Sequence, residues 1–202
     1  MASAPLWILG GGGHAKVVIA TARAAGFTNL LVADDARSSG EVLGARIAGR
    51  VADVLADSSA RAVFAIGDNR RRSELAAAAK CRFVSVVHPS AIVDPSVKLG
   101  DGSVVFAGTV IQPDATLGPH AIVNTSASID HDCVLGVAVH IAPGSRLAGN
   151  VALGDGVFVG IGAVVIPGIT IGAWTRVGAG AAVVRDLPAG VTAVGVPARP
   201  RP

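Results

Sequence analysis

An aliphatic residue recurs at every sixth position from Val93 to Val183, with no insertion in the series. Four residues after most of these positions lies a second inward-facing candidate, usually small, such as Ala115, Ala121 or Cys133. Most of the remaining turn positions carry Gly, Asp, Asn or Pro, which tight corners require. A hexapeptide period predicts a parallel β-helix, in which three hexads close one triangular coil. The aliphatic residues would then fill the interior, and the small residues would fit beneath the corners.

The residues before the hexads follow a different pattern, in which short apolar runs alternate with helical segments. Because this alternation is typical of βαβ units, it predicts a small parallel sheet. The sequence His88-Pro89 separates this part from the hexads, since proline disfavours helix at the residue before it. We therefore expect an α/β domain over residues 1–88 and a β-helix domain over residues 89–202. The predicted strands are 5–10, 30–33, 61–66 and 83–87, and the predicted helices are 17–25 and 70–80.

Four consecutive glycines and His14 follow the first predicted strand. With Gly10, Gly12 and Ala15 the turn fits the pattern G-x-G-x-x-A, and Asp35 lies twenty residues after Ala15. Such glycines let the backbone approach a diphosphate at a helix N-terminus, and the acid binds ribose hydroxyls. A dinucleotide fold needs two such halves, and the chain before the hexads has room for one. The pattern therefore indicates a half-Rossmann-like domain that binds one nucleoside diphosphate; a turn without a ligand is the alternative.

Two further features of this domain have a functional and a structural interpretation. His14 either contacts a phosphate or sugar of the substrate, or is a surface histidine where a helix begins. The turn Gly67-Asp68-Asn69 follows the third predicted strand, at the sheet edge where open α/β folds bind ligands. Asp68 or Asn69 is equally suited to cap the helix that follows.

The hexads contain one polar corner with the chemistry of a general base, formed by Asp130, His131 and Asp132. An adjacent carboxylate fixes the tautomer of a histidine and stabilises the imidazolium that forms. A solvated corner without a catalytic role is the alternative. His140 lies nine residues further on, which is half of an 18-residue coil. The two histidines therefore point to opposite sides of one prism and could meet only where neighbouring prisms pack side by side.

Composition excludes several classes of protein. The 202 residues carry a net charge of only +3, and no long basic stripe is interleaved with aromatic residues, so nucleic acid is not an expected partner. The cluster Arg70–Arg72 fits better near a phosphate-bearing small ligand. His120, His131 and His140 are never a whole coil apart, which argues against a metal site. Two cysteines without a signal peptide or membrane span indicate a cytoplasmic protein with reduced thiols.

The layout resembles the nucleotide-aminosugar acetyltransferases of the hexapeptide-repeat family, which include bacillosamine and perosamine N-acetyltransferases and sialic acid O-acetyltransferase relatives. The resemblance covers nearly the whole chain. It implies a left-handed β-helix, acetyl-CoA as cosubstrate, no metal, and a homotrimer with active sites between subunits. The motifs that carry it are ILGGGGHAK, AIGDNR, HPSA, VNTSASIDHDC, HIAPG, LAGNV and the terminal VGVPA.

The same resemblance implies roles for individual residues. His131 would be the general base, oriented by an adjacent acid, for which the family pattern favours Asp132 over Asp130. His140 would contact the acetyl or thioester group, and Gly149 would donate a backbone N–H to the thioester oxygen. The remaining coenzyme A contacts would be Ile161, Gly178, Ala179, Gly180 and Pro197. The nucleotide sugar would be held by Gly12, Gly13, His14, Asp34, Asp35, Gly67, Asp68 and Asn69.

The expected activity is acetyl transfer from acetyl-CoA to the amine of a nucleotide-linked amino sugar in bacterial glycan biosynthesis, with a UDP-4-amino-4,6-dideoxy sugar as the first candidate. One alternative is an O-acetyltransferase acting on sialic acid or another sugar hydroxyl. Another is a non-catalytic protein that binds nucleotide sugars. Because no hexad is interrupted by a loop, sugar recognition is expected from the N-terminal domain and a neighbouring subunit.

Overall fold

The computed structural model describes residues 4–201. The N-terminal part is a six-stranded sheet in the order β3-β4-β2-β1-β5-β6, together with three helices. All of its strand pairs are parallel except β3 with β4. The strands are β1 Leu6–Leu9, β2 Leu30–Ala33, β3 Glu41–Val42, β4 Ala45–Gly49, β5 Arg61–Phe64 and β6 Arg82–Phe83, and the helices are α1 Gly13–Ala24, α2 Val51–Ala56 and α3 Asn69–Ala77.

The hairpin β3–β4 is an element that the sequence analysis did not predict. Its two-residue turn consists of Leu43, with φ +45°, and Gly44, with φ +68°. Strand β3 has only two residues, and β4, with the sequence ARIAG, contains a single strong β former, so residues 41–49 lay in a gap between predicted elements. Helix α1 begins at Gly13, four residues before the predicted start. The sequence predicted a later start because glycine is a poor helix former.

The hexads form three parallel sheets that wind into a left-handed β-helix, here called the prism. Except in the last coil, each strand pairs with the strand 18 residues further on, as in Val104 with Ile122, so three hexads make one coil. The strands from β7 to β24 form the prism, and β25 pairs with β24 as a C-terminal hairpin. Their bounds are β7 Val86–Val87, β8 Ile92–Val93, β9 Lys98–Leu99, β10 Val104–Val105, β11 Val110–Ile111, β12 Thr116–Leu117, β13 Ile122–Val123, β14 Ser128–Ile129, β15 Val134–Leu135, β16 His140–Ile141, β17 Arg146–Leu147, β18 Ala152–Leu153, β19 Phe158–Val159, β20 Val164–Val165, β21 Thr170–Ile171, β22 Arg176–Val177, β23 Ala182–Val183, β24 Thr192–Val194 and β25 Arg199–Pro200.

The predicted inward positions form the core of the prism. The repeating aliphatic residues from Val105 to Val183 are buried, and the small residues lie buried beneath the corners. Hydroxyl groups among them donate to carbonyls of a neighbouring turn, as from Ser145 Oγ to Gly160 O at 2.7 Å. In the hexads that begin at Leu99 and end with the one at Val177, one residue each has a left-handed backbone, which favours the glycine and short polar residues found at most of these corners. These residues are Gly102, Gly108, Asp114, His120, Ser126, Asp132, Ala138, Gly144, Asn150, Gly156, Gly162, Gly168, Trp174 and Gly180.

The N-terminal domain packs directly on one outer face of the prism. Val86, Val104, Phe106 and Ile122 project from the prism into the same apolar cluster as the core residues of the N-terminal sheet. The predicted strand 83–87 is therefore wrong as a single element, because Arg82–Phe83 pairs with β5 whereas Val86–Val87 pairs with β10. The division into domains at residue 88 stays a prediction.

Candidate active site

The polar corner of the prism holds a histidine and a carboxylate in direct contact. His131 Nδ1 lies 2.7 Å from Asp132 Oδ2, and both side chains are more than half exposed. The left-handed backbone of Asp132, with φ +59°, is the conformation found at this position in every hexad from Leu99 to Val177. Asp130 instead accepts the backbone N–H of His131 at 2.8 Å. Of the two acids left open by the sequence, Asp132 is the one that contacts the imidazole.

This pairing leaves His131 in the form that a general base requires. A carboxylate only accepts, so Nδ1 carries the proton and Nε2 keeps its lone pair. The hydrogen bond to Asp132 raises the pKa of His131, and the negative charges of Asp130 and Asp132 add to the effect. The stronger base remains exposed to solvent and open to a substrate.

Gly149 lies on the adjacent coil directly beneath the ring of His131. A Cβ atom at Gly149 would lie 2.5 Å from His131 Cε1 and 2.6 Å from Nε2, so only glycine leaves room for the imidazole in this position. Among the described residues the Gly149 N–H has no hydrogen-bond acceptor, whereas the next N–H, of Asn150, donates to His131 O at 2.9 Å. The structure therefore places the predicted base and the predicted oxyanion donor side by side.

His14 and His140, assigned by sequence to different ligands, lie in one cluster. Their ring centroids are 6.2 Å apart, and Phe106 and Phe158 pack edge-on against His14 and His140 respectively. Burial above all, with the positive charge of Arg72, lowers the pKa of His14 and lowers that of His140 to about 3. Both rings are therefore neutral at neutral pH.

Asn124 is a residue of this cluster that the sequence analysis did not assign to a site. Its Oδ1 accepts the N–H of Thr125 at 2.9 Å, which turns Nδ2 towards His140 Nε2 at 3.2 Å. The amide therefore donates to Nε2 and leaves the proton of His140 on Nδ1. Asn124 is the first residue of the polar stretch that contains His131. Its position in that stretch is the signal from which a role in the site could have been predicted.

The turn after β5 serves the interface between the two domains. Asn69, predicted to bind substrate, is buried and donates from Nδ2 to the carbonyls of Gly156 and Val157, each at 3.1 Å. Asp68 caps α3 by accepting the N–H of Arg71 at 2.7 Å. Both side chains therefore have structural contacts, Asn69 with the prism and Asp68 with the start of α3. Contacts of Asp68, Asn69 and the Gly67 backbone with substrate stay a prediction.

Arg72 corrects, for one of the three arginines, the prediction that the cluster Arg70–Arg72 lies near a phosphate-bearing small ligand. It is 1% exposed and donates to Asn69 Oδ1 and to the carbonyls of Ile66, His120 and Ala138, at 2.8–3.0 Å. The sequence could not separate it from its two exposed neighbours, because all three are arginines on one short helix. Burial lowers its pKa to about 10, so it remains charged.

A cavity of about 720 Å³ lies beside the glycine turn. Asp34 closes the turn by accepting the Gly11 N–H at 2.7 Å, and Arg37 donates to the Gly11 carbonyl. Asp35 does not face this cavity and accepts the Val51 N–H at the start of α2, at 3.0 Å. The acid that contacts the turn is therefore Asp34, and the fingerprint position Asp35 has a capping contact. The cavity is lined by Gly11, Gly12, Gly13, Lys16, Asp34, Ala36, Arg37, Glu41, Val42 and Leu43.

The residues predicted for coenzyme A lie along another corner of the prism and its C-terminal tail. Ile161 is 61% exposed, and Ala179 occupies the same corner exactly one coil later. The tail that contains Pro197 packs beside this corner, since the Ala198 N–H donates to Ala182 O at 2.7 Å. Within one chain no contact joins this group or His140 to His131 among residues 4–201. The structure therefore brings together His14 with His140, and His131 with Gly149, but not the two pairs.

No group of three or more histidine, cysteine, aspartate or glutamate side chains in residues 4–201 is placed to hold a metal ion. No helix within that range has the length and apolarity to cross a membrane.

Known proteins resemble the chain over its full length. A family model described as the PglD N-terminal domain matches residues 5–79. A perosamine N-acetyltransferase variant from Caulobacter crescentus, solved with CoA and GDP-perosamine, is 47% identical, with coverage of 100% of this chain and 98% of that one and a TM-score of 0.93. The acetyltransferase domain of PglB from Neisseria gonorrhoeae, solved with acetyl coenzyme A, is 38% identical, with coverage of 99% and 100% and a TM-score of 0.93. WeeI from Acinetobacter baumannii AYE is 26% identical, with coverage of 98% and 100% and a TM-score of 0.86. No curated protein sequence matches the chain.

The fold and the His131 corner together define an acyltransferase of the β-helical hexapeptide-repeat class. The sequence is 47% identical, over the whole chain, to a perosamine N-acetyltransferase, and this identity decides the family within that class. The chain belongs to the family of nucleotide-aminosugar acetyltransferases, and the family predicted from its sequence motifs is confirmed.

Proposed function

We propose that this protein transfers the acetyl group of acetyl-CoA to the amine of a nucleotide-linked amino sugar, with His131 as the general base. The contact of 2.7 Å between His131 Nδ1 and Asp132 is the observation that carries the proposal. The 47% identical relative supports the substrate class, since it is a perosamine N-acetyltransferase solved with CoA and GDP-perosamine. That relative has also been solved with one histidine replaced by asparagine or alanine.

The geometry fits direct attack without an acyl-enzyme. The neutral amine attacks the thioester carbonyl carbon, a C–N bond forms, and the oxygen becomes an oxyanion beside the Gly149 N–H. His131 Nε2 takes the proton from the amine nitrogen. The C–S bond then breaks, and coenzyme A leaves as its thiol with that proton. Cys133 is buried inside the prism and donates to Ala148 O at 3.2 Å, so it is not presented as a nucleophile.

The glycine turn would hold the diphosphate of the sugar nucleotide. Helix α1 begins at Gly13, so its first N–H groups and the positive end of its dipole face the cavity. Lys16 lines the same cavity and adds a positive charge. His14 follows Gly13 of this cavity on the first turn of α1, and its ring lies in the cluster with His140.

We further propose that the active site is completed between subunits of a trimer in the cytoplasm. His131 lies at a corner of the prism, whereas His140 lies in strand β16 on one of its faces, so one chain does not bring the base to the His14–His140 cluster. Apolar side chains exposed on the outside of the prism could be buried in an interface between subunits. They include Ile92, Val134, Val164, Ile166 and Val184, which are 40–67% exposed.

The base is tested by replacing His131 with alanine and measuring release of free coenzyme A thiol with GDP-perosamine as acceptor. Loss of the base should lower kcat about 10²–10⁴-fold, with an unchanged melting temperature. Full activity in the variant would contradict the role of His131. The corresponding sugar nucleotide with a hydroxyl in place of the amine serves as a control, because acetylation of that compound alone would favour an O-acetyltransferase.

The shared site is tested by mixing two inactive variants, His131→Ala and His140→Ala, after unfolding and refolding them together. If each site takes one histidine from each of two neighbouring subunits, about one quarter of the sites in a random equimolar mixture are intact. Activity should then return to that fraction of the wild-type value. A mixture as inactive as its components would show that both histidines act from the same subunit.

A further inference from the structure

The cavity beside the glycine turn has one wall that phosphate binding does not explain. The glycine turn follows β1, whereas Glu41, Val42 and Leu43 belong to the hairpin β3–β4 at the outer edge of the sheet. In the order β3-β4-β2-β1, three strand spacings separate them, or ~14 Å at the usual spacing of neighbouring strands. The cavity is therefore long enough to hold a diphosphate, a ribose and a base in sequence.

Leucine at position 43 is a residue that the hairpin turn alone does not explain. It occupies a two-residue hairpin turn with φ +45°, where Asn or Gly is strongly preferred. A β-branched or bulky side chain with positive φ is strained, and such strain is typically retained at functional sites. Leu43 is nevertheless 47% exposed, so it is not held there by burial in the core. Its apolar side chain lines a cavity without an aromatic residue, where it can pack against the face of a base.

Glu41 supplies the hydrogen-bonding group of this wall. Its side chain is exposed, and it lies opposite Arg46 in the hairpin without an ion pair within 4 Å or a hydrogen bond among the described residues. A carboxylate accepts two parallel hydrogen bonds. Guanine offers two adjacent donors, N1–H and the N2 amine, on its Watson–Crick edge. Uracil offers a single N3–H between two carbonyl oxygens, which a carboxylate repels.

We propose that the hairpin β3–β4 is the nucleobase subsite, and that Glu41 and Leu43 make it selective for guanine. The inference rests on the proposed function, because it assigns the nucleotide of that same substrate. It favours a GDP-linked sugar over the UDP-linked sugar that the sequence analysis named first. The specificity then comes from a segment that the hydrophobic pattern did not reveal.

The test is calorimetric binding of GDP, IDP and UDP to the full chain. Wild-type protein should bind GDP at least about tenfold more tightly than UDP, and more tightly than IDP, which lacks the N2 amine. Glu41→Gln should weaken GDP about 10–100-fold, the range for loss of a bidentate contact to a base. It should leave UDP unchanged and remove the preference for GDP over IDP. Glu74→Gln is the matched control, since Glu74 is the only other glutamate and lies exposed on α3.

A second variant separates recognition from folding. Leu43→Asn places a residue that tolerates positive φ in the turn, so it should raise the melting temperature while weakening GDP binding. Equal affinity for GDP and UDP in the wild type, or an unchanged GDP-to-IDP ratio in Glu41→Gln, would overturn the proposal. Selective GDP binding without acetylation of any GDP- or UDP-linked amino sugar, GDP-perosamine included, would leave this subsite standing and remove the proposed function. Acetylation of a UDP-linked amino sugar by a protein that binds GDP and UDP equally would support the proposed function and overturn the guanine subsite.

Discussion

Replacing Gly149 with alanine tests how the position of the His131 ring controls activity. The added Cβ would lie 2.5 Å from His131 Cε1, whereas ordinary contacts begin at 3.4 Å. The difference, 3.4 − 2.5 = 0.9 Å, is the smallest shift that the ring must make. The Gly149 backbone does not have a positive φ, so alanine itself is not strained there. Because the ring is exposed, it can rotate away and lose its alignment with Asp132 without unfolding the prism.

A displacement of about 1 Å in a reacting group can cost about 10²-fold in rate. We therefore expect Gly149→Ala to lower kcat about 10²-fold, with a melting temperature close to that of the wild type. The assay is the initial rate of coenzyme A thiol release at saturating acetyl-CoA. Circular dichroism on the same samples shows whether the fold is retained.

The double variant His131→Ala Gly149→Ala is the control that isolates this mechanism. Without the imidazole, the new methyl group has no ring to displace, so the second substitution should add nothing to the loss from the first. Two results would refute the reasoning. One is wild-type kcat in Gly149→Ala, and the other is a further loss of about 10²-fold in the double variant.

Three other expectations follow from the same structure. Asp132→Asn should lower the pKa of His131 and move the acidic limb of the pH–rate profile to lower pH, with a reduced maximal rate; an unmoved limb would remove Asp132 from the pair. Arg72→Met should destabilise the fold by about 3 kcal/mol or more, because buried carbonyls lose their donor; thermal unfolding measures this, and a neutral effect would contradict the buried role. Burial lowers the pKa of His120 to about 4 and that of His140 to about 3, so the unfolded chain binds more protons below pH 6.5. The contribution of these two rings to the free energy of unfolding should therefore be constant above pH 6.5 and fall from there towards pH 4, as measured by urea unfolding; a flat profile below pH 6.5 would show that these rings are solvated.

The prism was predictable because its period is a direct consequence of its geometry. Each hexad supplies one strand and one corner, so burial repeats in the sequence with the same interval as in space. His131 was predictable for the same reason, since a histidine flanked by two acids stands out against corners of Gly, Asn and Pro. The choice between Asp130 and Asp132 needed the left-handed corner, which turns the second acid towards the ring.

The contacts between the domains could not be predicted from the sequence. Arg72 is one of three consecutive arginines, and only the docking of α3 on the prism decides which of them is buried. Asn69 resembled a ligand of the substrate because it lies at the correct sheet edge, yet prism carbonyls occupy its amide. Such roles depend on residues 48–88 positions away, for which local patterns carry no signal.

The prism residues Val86, Val104, Phe106 and Ile122 share one apolar cluster with the N-terminal sheet, and this has a consequence for engineering. The module proposed to bind the nucleotide would then end in space at these side chains, and not at residue 88 of the sequence. A chimera that exchanges only the first 88 residues between relatives would bring together two halves of a core that were never matched. A chimera designed to change nucleotide specificity and remain folded should therefore take these four prism residues from the same protein as the N-terminal domain.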